Sequence, residues 1–265
     1  MTGKSYAHFP IRTGLEAVHR RIAAAASAAG RRAEDVRLIA VSKAFPAQAV
    51  HEAVRCGQRA FGENYAQEAV AKIVALESLL HAESGACGNQ NSSADADPTR
   101  RARPTRVALE WHFIGPVQSN KTKLIAEHFH WVHSVDRLRV AERLAAQRPS
   151  AAAPLMVCIE VNVSGESSKS GVAPAALAEL AQQIARLPRL KLRGLMTIPA
   201  PSANADALRR QFRALRELRD DVAAARGVLL DTLSMGMSED LEIAIAEGAT
   251  MVRVGRAIFG ERPAN

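Results

Sequence analysis

Lys43 closes the segment LIAVSK and is followed by AFP, so an amine stands where a buried apolar run ends and a turn begins. Partial desolvation at such a place lowers an amine pKa and raises its nucleophilicity, the property a Schiff-base lysine needs. Position alone leaves two readings open: an amine that condenses with a carbonyl ligand, or a lysine that ends a strand and points into water. A second set of reactive types lies near the end of the sequence, in LSMGMSED and MVRVGRAIFGER. Ser234 and Ser238 are hydroxyl donors, Gly255 lets the backbone approach a ligand closely, and Arg256 is suited to a dianion. Together they have the chemistry of a phosphate cradle; ordinary turn glycines are the competing reading.

Arg253 stands inside the last apolar run, two residues before Gly255. A guanidinium in a buried strand needs a partner, either a ligand or a carboxylate such as Glu160. If that partner is a pyridine nitrogen, the nitrogen stays unprotonated, because arginine does not give up its proton to it. FGENY places Glu63 and Asn64 after another short run, where Asn64 either holds a ligand by its amide or caps the next helix. In WHFIGPVQSNK, His112 is flanked by Trp111 and Phe113 and reads first as a core histidine, with a catalytic base as the alternative. Gln118, Ser119, Asn120 and Lys121 read as a loop entering a helix, there to bind an anion or to cap.

These residues need elements to bring them together. Continuous apolar runs at 36–42, 58–61, 109–114, 131–134, 155–163, 190–198, 232–235 and 250–254 alternate with amphipathic stretches. That is the pattern of parallel strands buried on both faces, and eight of them predict a closed (β/α)8 barrel. An open doubly wound sheet has the same rhythm, but no Gly-x-Gly-x-x-Gly follows the first run. Leu15, Val18 and Ile22 predict a leading helix over 13–29, stopped at Gly30. If Lys43 ends the first barrel strand, it lies on the rim where barrel active sites are found, and the loops after strands seven and eight are the usual phosphate site. Glu83–Arg106, polar and without periodicity, is expected to be a flexible insertion in an otherwise single domain of residues 1–265.

Composition narrows the class. The chain has 265 residues, 48% hydrophobic and 23% charged, enough apolar material for one large core. Cys56, Cys87 and Cys158 are odd in number, widely spaced and without a metal-type pattern, which fits a reducing cytoplasm and no metal site. No signal peptide or membrane span is legible. The net charge of +8 is spread along helices such as Leu208–Arg226, and aromatics are only 4%, so a solvated basic surface is expected and nucleic-acid binding is not.

LIAVSKAFP, FGENYAQE, EWHFIGPVQSNK, LRGLMTIPAP and LSMGMSEDLEIAIAEGATMVRVGRAIFG, in that order, resemble the pyridoxal phosphate homeostasis protein family over about residues 12–262, the insertion left out. The resemblance implies the barrel half of alanine racemase and ornithine decarboxylase type enzymes, the fold-type III pyridoxal 5'-phosphate (PLP) barrel. It implies that Lys43 carries PLP as a Schiff base, Asn64 lies near the ring, Met196 packs beside the cofactor and Arg253 meets the pyridine nitrogen. Ser234, Ser238, Gly255 and Arg256 would hold the phosphate. Two departures stand out: position 256 is Arg where many relatives carry a small hydroxyl residue, and the insertion is not a family feature.

Function on this reading is intracellular PLP homeostasis, buffering the cofactor or delivering it to PLP-dependent apoenzymes, by a monomer that is not built as an enzyme. Racemases place a second acid/base group in a C-terminal domain, and the chain stops at Asn265, soon after the eighth run. The alternative is a weak PLP-dependent amino-acid enzyme of racemase type, with Lys43 exchanging the α-proton.

Overall fold

The computed structural model describes residues 10–86, 108–166, 169–202 and 204–261. Eight strands close into a parallel barrel in chain order: β1 (Arg37–Val41), β2 (Ala60–Glu63), β3 (Glu110–Phe113), β4 (Trp131–Val135), β5 (Leu155–Glu160), β6 (Leu190–Met196), β7 (Thr232–Ser234) and β8 (Met251–Val254). β8 pairs with β1 over Arg37–Ala40, which closes the ring and leaves no open edge. The eight runs expected from sequence each overlap a strand, and the closed barrel replaces the open-sheet alternative.

Alternation along each strand sorts the core into two shells. Ile39 on β1, Trp131 on β4, Cys158 on β5, Met196 on β6 and Met251 on β8 form a cluster of their own, separate from the main one. Leu38 and Ala40, the neighbours of Ile39, belong to the larger cluster with the helices. This is the barrel pattern of side chains filling the interior while the opposite set packs under the helical ring. Gly194 shows how tight the wall is, since a Cβ there would fall on the Thr232 carbonyl of the neighbouring strand.

The helices are α1 (Ile11–Ala28), α2 (Ala47–Arg55), α3 (Ala66–Ala86), α4 (Thr122–His128), α5 (Leu138–Gln147), α6 (Pro174–Ala185), α7 (Ala205–Arg226), α8 (Leu241–Ala246) and α9 (Arg256–Phe259). α1 begins two residues before its expected start and buries Ile11, Leu15, Val18, Ile22 and Ala26. It lies so close to α9 that a Cβ on Gly14 would come 2.7 Å from the Ala257 carbonyl oxygen. α7 is capped at both ends: Asn204 accepts the amides of Asp206 and Ala207, and Gly227 ends it at φ 61°.

Boundaries differ from expectation where side chains compete with the ladder. β2 starts at Ala60 because the Gln58 amide folds back to donate to the Leu38 and Ala60 carbonyls. β5 ends at Glu160, after which Val161 bridges to Val172. The expected flexible insertion at Glu83–Arg106 begins too early: 83–86 belong to α3, where Glu83 pairs with His51 at 3.1 Å. The rest of that segment falls outside the described residues. No helix among the described residues is long and apolar enough to cross a membrane.

Candidate functional site

A cavity of 1110 Å³ opens at the C-terminal ends of the strands, just above the usual small-molecule range of about 300–1000 Å³. Its wall takes Val41 and Lys43 from the end of β1, Asn64 after β2, Ile114 after β3, Ile198–Ser202 after β6, Met237–Asp240 after β7, and Gly255 and Arg256 after β8, with Arg253 of β8 at the bottom. Of the residues singled out from sequence, Lys43, Asn64, Ser238, Arg253, Gly255 and Arg256 line this one space. Met196 and Ser234 do not: they are 1% and 0% exposed and lie beneath it in the barrel.

Lys43 occupies a turn whose Ser42 carbonyl accepts the Phe45 amide at 3.0 Å. Ala44, the third residue of that turn, has φ 66°, a conformation in which glycine is the usual residue. The β-turn therefore carries Lys43 out of the strand and onto the cavity wall at half-buried depth.

Asn64 does not cap α3, which begins at Ala66. Its Oδ1 is buried without a hydrogen-bond partner among the described residues, and the backbone beneath it is pressed against Gly115, where a Cβ would stand 2.8 Å from Asn64 Cα. An orphaned acceptor on a cavity wall calls for a donor from a ligand.

Arg253 is 4% exposed and its guanidinium is held on three sides. Nη1 donates to the Ser234 carbonyl at 2.7 Å and to Ser234 Oγ at 2.8 Å, while Nη2 donates to the Thr197 carbonyl at 2.9 Å. Burial lowers its pKa to about 10, countered by the fields of Glu160 and Asp240, so it remains a cation at neutral pH. No ion pair joins Arg253 to Glu160 among the described residues; the carboxylate acts at longer range. Burial, reinforced by Asp136 and countered by Arg253, pushes the Glu160 pKa up to about 7.

Beneath Arg253 a chain of hydrogen bonds crosses the barrel. Ser234 Oγ lies 2.7 Å from His133 Nδ1, and His133 Nε2 lies 2.9 Å from His112 Nδ1. With Oγ already accepting from Arg253, its own proton is available to His133 Nδ1, and in that tautomer His133 Nε2 is the donor to His112 Nδ1. His112 Nε2 has no hydrogen-bond partner among the described residues; Glu110 Oε1, which accepts the Trp131 indole, stands 3.8 Å away. Burial depresses both imidazole pKa values, that of His133 to about 3 with Arg253 adding to the effect, so both rings are neutral. His112 is thus a core histidine, and His133 is the member of this chain that the sequence reading missed; its only signal was a polar residue inside the run WVHSV.

The loops after β7 and β8 form the opposite wall. Gly236 has φ 95° and a Cβ there would meet Ala244 Cβ at 2.6 Å, while a Cβ on Gly255 would stand 3.1 Å from the Val41 carbonyl oxygen. The backbone amides of Ser238, Glu239, Arg256 and Ala257 have no backbone acceptor among the described residues. The Ser238 carbonyl anchors the loop by accepting Arg21 Nη2 at 2.8 Å. The Arg256 side chain is exposed and shared between Glu239 at 3.2 Å and Glu261 at 3.3 Å, so its charge is already partnered. Gln118, Ser119, Asn120 and Lys121 enter α4 through a short 3-10 turn and line no part of the cavity. Glu63, which FGENY placed beside Asn64 after the second run, is fully buried and salt-bridged to Lys72 at 2.6 Å. Among the described residues no group of three or more His, Cys, Asp or Glu is placed to hold a metal ion.

The family described as alanine racemase, N-terminal domain, matches residues 14–263 of this chain. Alanine racemase from Corynebacterium glutamicum superposes with a TM-score of 0.59 at 19% identity, covering 94% of this chain and 62% of that one, which shows a shared fold. At a finer level the chain belongs to the pyridoxal phosphate homeostasis protein family. It is 51% identical to the pyridoxal phosphate homeostasis protein of Pseudomonas aeruginosa over 95% of this chain and 96% of that protein, and 49% identical to its Escherichia coli K12 counterpart over 94% and 95%. PipY of Synechococcus elongatus PCC7942, solved with PLP bound, matches with a TM-score of 0.75 at 33% identity, over 94% of this chain and all of that one.

Proposed function

We propose that this chain binds PLP in the barrel-mouth cavity and serves PLP homeostasis, with Lys43 as the covalent anchor. The observation that carries the reading is the joint placement of Lys43, Arg253 and the β7 and β8 loops around one space. When bound, PLP would supply an aldehyde, and Lys43 would be the residue that holds it through its amine, with one water released on capture and taken up on release. A reversible bond of this kind suits uptake and release of a reactive carbonyl compound.

The surrounding residues fit the rest of the cofactor. Asn64 Oδ1 offers an acceptor to the ring substituents, and Arg253 presents an N–H donor that keeps the pyridine nitrogen unprotonated, which makes the ring a weaker electron sink. The unpaired amides of the Ser238 and Arg256 loops suit a phosphate, with the Ser238 hydroxyl beside them; the Arg256 side chain must leave its two carboxylates to join. Ser234 acts one step back, by holding Arg253, and Met196 acts as barrel filling below the site. The names of the relatives support a carrier in preference to a racemase-type enzyme.

The test is the visible spectrum of the purified protein with PLP, repeated for Lys43→Ala, followed by borohydride reduction and peptide mapping. A yellow wild type with a pyridoxyl group on the Lys43 peptide, and no such adduct in the variant, is expected; a reduced adduct elsewhere, or none, overturns the assignment. Turnover of an amino-acid panel within about 1–1000 per second would replace the carrier reading by the enzyme reading.

A further inference from the structure

A buried charge cluster flanks the Lys43 turn. Lys72 on α3 is 6% exposed, and its ammonium spends three donors on the Ser42 carbonyl at 2.8 Å, Glu63 Oε1 at 2.6 Å and Glu68 Oε1 at 3.2 Å. The two carboxylates return to the turn: Glu63 Oε1 accepts the Ser42 hydroxyl at 2.7 Å, and Glu68 Oε1 accepts the Ala44 amide at 3.0 Å. Lys43 is thus gripped at the residue before it and the residue after it, by side chains from β2 and α3 that do not line the cavity themselves.

The grip has a physical reason. Ala44 at φ 66° carries a steric cost that an alanine escapes by returning to an ordinary backbone conformation. Flipping the turn would carry the Lys43 side chain off the cavity wall. The Glu68 hydrogen bond to the Ala44 amide opposes that flip, and Lys72 fixes Glu68 while holding the carbonyl that closes the turn. A buried ion pair alone is weak evidence of a stabilising role, but this one spends its hydrogen bonds on the backbone of a single strained turn.

We propose that Glu68 and Lys72, with Glu63 between them, are positioning residues that hold Lys43 in its reactive placement. The inference rests on the reading of Lys43 as the PLP anchor. It requires that loosening the cluster slow covalent capture of PLP while leaving non-covalent recognition of the same ring and phosphate intact.

The experiment compares wild type, Glu68→Ala, Glu68→Gln and the double variant Ala44→Gly/Glu68→Ala. It measures the rate of the borohydride-trappable adduct on the Lys43 peptide with PLP, and the affinity for pyridoxamine 5'-phosphate, which has no aldehyde. Glu68 is partly exposed, with 39% of its side-chain surface accessible, so its removal is not expected to unfold the chain. The expected result is capture slowed at least about ten-fold in Glu68→Ala, with pyridoxamine 5'-phosphate affinity changed less than about two-fold. Glu68→Gln, which keeps a carbonyl acceptor, should be near wild type. Glycine at position 44 should restore part of the lost rate, because it adopts the left-handed turn without strain. Capture by Glu68→Ala at the wild-type rate, or parallel loss of capture and pyridoxamine 5'-phosphate binding, overturns the positioning role. Failure of the wild type to form an adduct at Lys43 overturns the anchor reading itself, which keeps the two failures distinct.

Discussion

Arg253 Nη1 donates to Ser234 Oγ at 2.8 Å, so the seventh strand supplies the hydroxyl that orients the guanidinium of the eighth. This relationship engages Ser234 beneath the cavity, in the support of Arg253. It also makes one hydroxyl the joint between a buried cation and a buried histidine pair.

Ser234→Ala should therefore be destabilising out of proportion to its size. Arg253 keeps the Ser234 and Thr197 carbonyls, but His133 Nδ1 loses its partner inside a fully buried ring. The expected cost is about 1–3 kcal/mol, read as a lower urea midpoint at unchanged slope. A change below about 0.5 kcal/mol would show that the chain of hydrogen bonds does not support the floor.

Glu160 predicts a pH signature. Its folded pKa of about 7 lies above its ordinary value of 4.5, so the folded state binds its proton more firmly than the unfolded state. Stability from this group is present below about pH 4.5 and is lost as pH rises to about 7, roughly 3 kcal/mol in all at 1.36 kcal/mol per unit. Subtracting the pH profile of Glu160→Gln removes the contributions of the neutral histidines, which both proteins share. The wild-type-minus-variant difference should fall across that window and be flat above it; a flat difference throughout would mean that Glu160 ionises normally.

Gly115→Ala should weaken PLP binding and also cost stability, because the backbone of Asn64 must shift. The new methyl would meet the backbone of Asn64, whose Oδ1 is the orphaned acceptor on the wall. A fall of about ten-fold in PLP affinity is expected from equilibrium dialysis, since a displacement near 1 Å in a positioning group is costly. Gly194→Ala is the contrasting case: its Cβ would collide with the Thr232 carbonyl inside the barrel wall, and loss of folded protein is expected there. Wild-type affinity in Gly115→Ala would remove Asn64 from the site.

Thiol accessibility should follow burial. Cys158 is fully enclosed in the barrel interior, and burial pushes its pKa up to about 12, whereas Cys56 is half-buried at the end of α2. In native protein a thiol reagent should label Cys56 within minutes and spare Cys158 until denaturant is added. Labelling of both at equal rates would indicate that the barrel opens on that timescale.

The barrel was legible because strands buried on both faces must be apolar throughout and are separated by helices of unmistakable period. Lys43, Gly255 and Arg253 could be singled out for the same reason: each is a polar or flexible residue at the end of, or inside, such a run. The roles of Ser234 and Glu63 were not legible. Both sit at strand ends beside expected site residues, yet a step of one position along a strand separates the cavity wall from the barrel interior, where Ser234 lies, or from the helical shell, where Glu63 lies. Ser234 consequently faces Arg253, and Glu63 faces Lys72.

By itself, the order of apolar runs determined eight strands, a lysine at the end of the first and glycine-bearing loops at the last two, because local patterning and chain order are linear properties. Only the closed barrel decided which polar groups meet. Closure sets Ala40 beside Val254, and thereby brings the Lys43 end of the chain to the Gly255 loop more than two hundred residues away. It also spends Ser234, His133 and His112 on one another inside a space where unpaired polar atoms are costly. Such pairings depend on distances across the barrel, which no spacing along the chain encodes.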